Sequence, residues 1–232
     1  MPNGSSRARV FRWLKAVAII VLVILLVPYA VTPLYRVVNP VSTLVLWRWA
    51  TGARVERTWT PLAGIAPALP QAVISAEDGR FCRHWGIDFA ELRDAMVDAD
   101  RLSEMRGGST ITQQTAKNLF LWPGRSYVRK VLEFPLALWM DLILGKRRVM
   151  EIYLNVAEWG PNGEFGAAAA ARSAFSKSPK DISAREAATL AAILPNPIER
   201  SAARPGPGVR RLAGLYERRA GRFGELAACV RR

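Results

Sequence analysis

The hydrophobic pattern begins with one long apolar segment near the N-terminus. Residues 16–35 carry no charged side chain, and residues 16–27 (AVAIIVLVILLV) are apolar at every position. Twenty residues at about 1.5 Å each span about 30 Å, the thickness of a bilayer hydrocarbon core. Because the segment has no polar face, it does not fit a soluble core helix. The pattern predicts a single transmembrane anchor, with a cleaved signal peptide as the alternative.

Beyond residue 70, apolar residues recur at intervals of three and four, the spacing of packed helices. Predicted helix starts, marked by capping residues or breaks in the pattern, are Asp88, Ser109 or Thr110, Ser126, Lys146, Gly166 and Ser183. The helix capped by Ser126 contains Pro135 and stops at Gly145. Period-two alternation is scarce, so we predict a mainly α domain at 71–198.

The segments on either side of this domain are less regular. Residues 36–70 form a predicted connector whose Trp47, Trp49 and Trp59 fit either the headgroup level of a membrane or packing on the domain. Residues 199–232 are predicted as a basic tail: a linker, then a basic helix that lies on the domain or on anionic lipid.

The charge distribution changes this picture in two ways. The net charge is +14, of which residues 1–15 hold +4 and residues 199–232 hold +6. Cations before an apolar segment favour a cytoplasmic N-terminus, which places residues 36–232 across the membrane. Since the excess lies at the ends, a nucleic-acid-binding domain is not favoured.

Histidine and cysteine usage excludes several kinds of site. His84 is the only histidine, which disfavours a multi-histidine metal site or a Ser-His-Asp triad. Cys82 stands two residues before it, but no third orienting group suggests a thiolate nucleophile. The two cysteines are too few for a disulfide framework, and the sequence does not decide whether they are free.

Three polar patches interrupt the apolar pattern, and the first, residues 76–88 (AEDGRFCRHWGID), contains a candidate catalytic carboxylate. Glu77 follows apolar residues 72–74. A helix that buries those residues would leave Glu77 beside an apolar wall, where a carboxyl pKa rises into the range of a general base or acid. In the alternative, Glu77 and Asp78 are surface carboxylates paired with Arg80 or Arg83.

The second patch, residues 106–118 (RGGSTITQQTAKN), joins a glycine pair to a helix start, where backbone amides favour an anion. On that helix Gln113 or Gln114 shares a face with Lys117, which suits sugar hydroxyls and phosphate oxygens. A solvated polar helix is the alternative. The Gly-Lys-Ser/Thr ending of a nucleotide-binding loop is missing, so nucleotide hydrolysis is not supported.

The third patch places cations around a carboxylate. Arg129 and Glu133 are four residues apart, and a plain exposed helix ion pair would be worth only about 0.3–0.5 kcal/mol. Arg125, Lys130 and Lys117 add further positive charge. Such a cluster suits a pyrophosphate leaving group, which needs charge neutralisation rather than a proton.

In their order and spacing, EDGRFCRHWGID, RGGSTITQQTAKN, RKVLE and EIYLN resemble the peptidoglycan glycosyltransferases of glycosyltransferase family 51. The resemblance covers residues 72–197. It implies a lysozyme-like α fold with a small membrane-facing subdomain, and polymerisation of lipid II (undecaprenyl-pyrophosphoryl disaccharide-pentapeptide) into glycan strands. The growing chain would pass to the acceptor 4-hydroxyl with inversion, releasing undecaprenyl pyrophosphate.

The resemblance also implies roles for single residues. Glu77 would be the general base, and Glu133 a second essential carboxylate that orients cations or a metal. Residues that would bind or position substrate are Lys117, Arg125, Arg129, Lys130, Ser109, Gln113 and Gln114. Residues that would support the site are Asp78, Phe81, His84, Gly107, Gly108, Thr110, Asn118, Glu151 and Asn155. A divalent cation, Mg²⁺ or Mn²⁺, near the pyrophosphate is a candidate cofactor, although the sequence does not require one.

Two features depart from the family pattern. Residues 174–177 (AFSK) keep only one of the usual two aromatics before the lysine, and Pro135 could shift Glu133 relative to the cations. The sequence has no Ser-x-x-Lys and no Lys-Thr-Gly, so no transpeptidase domain is indicated.

The resemblance sets the expected location and partners. We expect the bacterial cytoplasmic (inner) membrane, with the catalytic domain periplasmic. The expected partners are lipid II, the nascent glycan strand and the bilayer; cell-wall synthases or divisome proteins are candidates, and nucleic acid is not. The alternative functions are a lytic muramidase of similar fold and a non-enzymatic cell-wall scaffold.

Overall fold

The computed structural model describes residues 4–97, 108–124, 126–222 and 227–231. Its helices are α1 Gly4–Val31, α2 Thr43–Ala50, α3 Ala68–Glu77, α4 Phe89–Val97, α5 Ile111–Phe120, α6 Tyr127–Val156, α7 Gly166–Phe175, α8 Ala184–Ile193, α9 Pro207–Arg222 and α10 Ala228–Arg231. Two short strands, β1 Glu56–Arg57 and β2 Glu164–Phe165, pair in parallel with Glu56 opposite Glu164. The predicted mainly α class is confirmed.

Helix boundaries follow the capping residues that the sequence contains. Thr110 and Ser183 each close a capping box, with Gln113 and Glu186 respectively, and Ser126 accepts a hydrogen bond from the backbone of Arg129. Gly145 has a φ of 71°, a left-handed conformation that glycine adopts without steric cost. It bends α6 into two parts, as the sequence predicted. The short α2 lies in the connector, where no helix was predicted.

The core forms where α3, α7, α8 and the second part of α6 meet. Leu69 and Ile74 from α3, Leu190 and Ile193 from α8 and Met150 from α6 are almost completely buried. Each such side chain contributes about 1.5–3 kcal/mol to folding. The buried residues of α7 are Gly166 and five alanines, small residues that allow neighbouring helices to approach closely. This core holds the C-terminal end of α3, and hence Glu77, in place.

The N-terminal helix is apolar and exposed. Residues 10–36 are long and apolar enough to cross a membrane, by length and composition, and no residue of the most apolar 18-residue stretch within them is buried in the protein. Its C-terminal end is joined to α6: the Trp139 indole donates to the carbonyl of Tyr29 (3.1 Å), and Arg36 donates to the carbonyl of Ile143 (2.6 Å). The apolar helix therefore leaves the domain from the α6 side.

The C-terminal residues pack on the domain rather than apart from it. Val209 and Ala213 of α9 are buried in the same core as α3 and α8. The segment predicted as a basic tail, 199–232, therefore contributes to the core through α9. Its basic helix was predicted to lie either on the domain or on anionic lipid, and in the structure it lies on the domain. The helix α9 packs on the domain because its apolar residues form one face, although arginines alternate with them in the sequence.

Cys82 and Cys229, which are 147 positions apart in sequence, form a disulfide. The bond joins the loop after Glu77 to α10, whose Val230 is buried and accepts a hydrogen bond from Arg147 (2.8 Å). The sequence left the state of both cysteines open. Because Cys82 is oxidised, it does not form a thiolate pair with His84.

Candidate active site

Glu77 is the last residue of α3 and lies in the protected position that its apolar neighbours predicted. Burial raises the pKa of its carboxyl group, and the hydrogen bond from Gln114 and the charge of Lys117 oppose this rise. Gln114 Nε2 donates to Glu77 Oε2 (2.8 Å). Arg80 pairs with Asp88 instead (2.7 Å), so the alternative of an Arg80-paired surface carboxylate is wrong.

A buried tyrosine orients the Gln114 amide. Tyr153 Oη donates to Gln114 Oε1 (3.0 Å), which leaves the amide nitrogen to face Glu77. Burial and the nearby Glu77 and Asp78 charges raise the pKa of Tyr153 well above its usual value, so the phenol stays protonated and remains a donor. Tyr153 is a site residue that was not predicted from the sequence, although it lies inside the EIYLN string.

Asp78 and His84 contact each other directly after Glu77 in the chain, and Asp78 connects this loop to α5. Both oxygens of Asp78 lie within 3.0 Å of His84 Nε2, and one also accepts from the backbone N–H of Ile111 (3.0 Å). The Phe81 ring is fully buried and packs edge-on to the imidazole. The supporting role that the motif implied for these residues stays a prediction, and these contacts are the ones through which it would act.

Glu133 lies at the centre of the second group of charges and is only 2% exposed. It pairs with Arg129 and, at 3.1 Å, with Lys130, whose ammonium also donates to Ser109 Oγ (2.6 Å). Pro135 is contained within α6 and does not separate Glu133 from these cations. In the described part of the chain, the buried Arg129 Nε has no hydrogen-bond partner, so a donor remains available.

Lys117 lies close enough to both Glu77 and Glu133 for their charges to act on its ammonium. Burial lowers the pKa of its ammonium, as do the charges of Arg129 and Lys130, while Glu133 and Glu77 raise it. Within the residues described, no side chain forms a hydrogen bond or ion pair with this ammonium. A half-buried cation without a partner, beside other cations, is suited to an anionic ligand.

The remaining predicted residues divide into three groups. Arg125 and Gly107 lie outside the described residues, so their roles stay predictions. Thr110 and Gln113 cap α5, and Gln113 is buried there, so Gln114 is the amide that contacts Glu77.

The residues of the third group lie away from Glu77. Asn155 makes two hydrogen bonds to the backbone of Thr60 (2.8 and 2.9 Å), and Glu151 accepts from the backbone N–H of Leu62 (2.9 Å). The backbone carbonyl of Asn118 accepts from Thr43 (3.2 Å), and Gly108 precedes the α5 cap. Glu151, Asn155 and Asn118 thus anchor the connector to the domain.

The residues near Glu133 do not suit a resident divalent cation. Both Glu133 oxygens are paired with Arg129 and Lys130, so neither is available as a ligand. Ligand atoms of Asp78, His84 and Asp88 lie within 4.8 Å of one another, but they are engaged with each other, with Ile111 and with Arg80. In the described part of the chain, these carboxylates therefore do not form a metal site.

The Gln114 contact gives a pH-dependence that can be tested. A hydrogen bond to the carboxylate lowers the pKa of Glu77, so Gln114→Leu should raise that pKa and move the acidic limb of kcat/KM to higher pH. We expect an upward shift of roughly 0.5–1 pH unit, which corresponds to one hydrogen bond of about 1 kcal/mol. Rates measured from pH 4 to 9 test this; an unmoved acidic limb would separate Gln114 from the base.

The structure thus brings together, on a mainly α scaffold, a protected carboxylate (Glu77) and a group of cations around Glu133, a combination that suits group transfer with an anionic leaving group. The profile of the family described as Transglycosylase matches residues 45–217. The chain belongs to this transglycosylase family. It is a glycosyltransferase, and the lysozyme-like α fold that the motifs implied is confirmed.

Similar proteins cover nearly the whole chain. A biosynthetic peptidoglycan transglycosylase of Rhodopseudomonas palustris (strain TIE-1) is 58% identical over 227 residues, covering 98% of this chain and 96% of the relative. One from Nitrobacter hamburgensis is 57% identical over 220 residues (94% and 97%), and one from Rhizobium meliloti is 49% identical over 235 aligned positions (99% of each).

Proposed function

We propose that this protein polymerises lipid II into the glycan strands of peptidoglycan. The observation that carries the proposal is that Lys117, a half-buried cation, is within electrostatic range of both Glu77 and the Glu133 cluster. A proton acceptor and a pyrophosphate site are the two groups that transfer from a sugar pyrophosphate requires. The names of the relatives describe the same biosynthetic activity.

The proposed step is a direct displacement at the anomeric carbon of the growing chain. Glu77 takes the proton of the acceptor 4-hydroxyl, and the hydroxyl oxygen attacks the anomeric carbon of the growing chain from the face opposite the leaving group. The bond from that carbon to the phosphate oxygen breaks, and its electron pair leaves on the undecaprenyl pyrophosphate. Lys117, Arg129 and Lys130 neutralise the leaving group's charge, because no acid is needed to protonate a pyrophosphate.

Each remaining residue would serve this step in a defined way. Glu133 holds Arg129 and Lys130 in position, and Ser109 fixes the Lys130 ammonium. Gln114 orients the Glu77 carboxylate. Arg125 would be a further pyrophosphate ligand, by its place in the family motif. The pyrophosphate itself would supply the oxygen ligands if Mg²⁺ or Mn²⁺ takes part.

We further propose that α1 anchors the domain outside the cytoplasm. The apolar span and the cations of residues 1–15 support this orientation, and so does the disulfide, since such bonds persist mainly in oxidising compartments. The first part of α6 exposes Tyr127, Val128 and Val131, which suits a face directed at the membrane that carries the substrate. Cell-wall synthases or divisome proteins are proposed partners at that membrane.

Two substrates distinguish the proposed function from its alternatives. Purified full-length protein in detergent is incubated with lipid II and, separately, with isolated sacculi. We expect glycan polymer from lipid II and no soluble fragments from sacculi. Release of muropeptides from sacculi without polymer would establish a lytic muramidase, and neither product would favour a non-enzymatic scaffold.

A further inference from the structure

A buried cluster at the bend of α6 lies outside the four motif strings and has no role in the step described above. Lys146 follows Gly145 directly, and its ammonium pairs with Asp141 Oδ1 (2.8 Å). The two side chains are only 13% and 4% exposed. Burying an ion pair is costly unless its geometry and hydrogen bonds compensate, so an ion pair this deeply buried needs an explanation.

The cluster reaches the residue next to Glu77 through the single histidine. Lys146 Nζ lies 3.5 Å from His84 Nδ1 and 4.5 Å from the centre of the Phe81 ring. The distance to Nδ1 is long for a hydrogen bond, but a cation there disfavours a proton on Nδ1. The other ring nitrogen, Nε2, faces a carboxylate oxygen of Asp78 (2.9 Å), which accepts, so Nε2 is the donor of this contact.

The cluster also holds the first turn of α5 at two successive residues. Asp78 accepts from the backbone N–H of Ile111 (3.0 Å), and the Thr112 hydroxyl lies 3.4 Å from Asp141 Oδ1. Lys146 serves both carboxylates: it pairs with Asp141 directly and faces Asp78 across the imidazole. Without this ammonium, two buried acids would face the start of α5 with only hydrogen bonds to offset their charge.

The start of α5 determines where Gln114 lies. Gln114 is three residues after Ile111, hence on the same face of the helix, and Glu77 directly precedes Asp78. Two neighbouring hydrogen bonds therefore join the end of α3 to α5: Ile111 N–H to Asp78, and Gln114 to Glu77 (2.8 Å). A displacement of α5 that breaks the hydrogen bond to Asp78 would also lengthen the one to Glu77.

We infer that Lys146 and Asp141 are positioning residues for the base: through His84, Asp78 and Thr112 they fix the first turn of α5 and so hold Gln114 against Glu77. This inference rests on the proposed role of Glu77. Neither residue touches substrate in this scheme. Their effect is expected on the turnover step and its pH-dependence, and not on the binding of the donor.

The test compares Lys146→Met with Lys146→Arg in full-length protein, with lipid II as substrate. We expect Lys146→Met to lower kcat about 10-fold with KM nearly unchanged, and to move the acidic limb to higher pH as Gln114→Leu does. Lys146→Arg should restore most of kcat and the wild-type limb. A cavity of about 250 Å³ beside Lys146 and Asp141 gives room for the larger guanidinium.

Two further measurements separate positioning from a loss of fold. Asp141→Asn removes the charge but keeps a side-chain oxygen for Thr112, and we expect the same limb shift from it, with a smaller loss of kcat. The double variant Lys146→Met/Gln114→Leu should have the same acidic limb as Gln114→Leu alone, because both changes act through one hydrogen bond. Lys180→Met, an exposed lysine, is the matched control.

The results for the Lys146 variants distinguish a positioning role from a structural one. Equal loss in Lys146→Met and Lys146→Arg, an acidic limb that does not move, or additive shifts in the double variant would overturn it and leave only a structural role. If Lys146→Met keeps the wild-type kcat and limb while the wild type polymerises lipid II, this inference alone fails. If the wild type makes no polymer, the proposed function itself fails.

Discussion

Glu77→Gln is expected to reduce the kcat/KM of glycan polymerisation by about 10²–10⁴-fold. The amide has nearly the same shape as the carboxylate and can still accept the Gln114 hydrogen bond (2.8 Å in the wild type), but it cannot take the acceptor's proton. Burial, which raises the pKa of Glu77, brings a wild-type carboxyl group closer to the range in which a base is effective at neutral pH. The measurement is initial rate against lipid II concentration.

The control for Glu77→Gln has to show that only chemistry is lost. The thermal unfolding midpoint should not fall, because a neutral amide in a desolvated site carries no buried charge. Glu199→Gln, which changes an exposed carboxylate, should retain the wild-type rate and midpoint. A Glu77→Gln variant that polymerises at the wild-type rate would remove Glu77 from the role of base.

Lys117→Met is expected to change activity and stability in opposite directions. Loss of one charge-assisted hydrogen bond to the pyrophosphate, worth about 1.5–3 kcal/mol, should reduce kcat/KM by about 10–150-fold. The folded protein disfavours the charged form of Lys117, since burial and Arg129 lower its pKa. An apolar side chain of similar length removes that penalty, so the free energy of unfolding should rise.

The two effects are measured with lipid II kinetics and with thermal unfolding in the absence of substrate. Lys180→Met should change neither quantity, since this lysine is exposed. A Lys117→Met protein that is both less active and less stable would indicate that the ammonium has a structural partner. A fully active one would remove it from the pyrophosphate site.

The sequence predicted well what is encoded locally. Capping residues such as Thr110 and Ser183 and the break at Gly145 determine helix limits within a few neighbouring positions, and the structure confirms them. The arrangement of Glu133 with Arg129 and Lys130 also follows from helical spacing alone. The same short range explains why Glu77 could be predicted to lie beside an apolar wall.

Contacts between distant segments could not be predicted in this way. Helical spacing did not distinguish Gln113 from Gln114, because the choice depends on Tyr153 reaching across from α6. The position of α9 depends on an apolar face that fits α3 and α8, while its composition is dominated by arginine. The pairing of Lys146 with Asp141 and its link to His84 likewise exist only once α6 has bent.

The disulfide between Cys82 and Cys229 has a consequence for how the protein is made. On the proposed orientation the chain crosses the membrane from its N-terminal side, so Cys229 emerges well after Cys82, from which it is separated by 147 positions. The disulfide can therefore fix the loop that follows Glu77 only once the chain has been exported as far as α10. In a reducing cytosol the two cysteines would remain free thiols and the disulfide would not form. Protein for assay should therefore be produced by secretion and kept free of reductant.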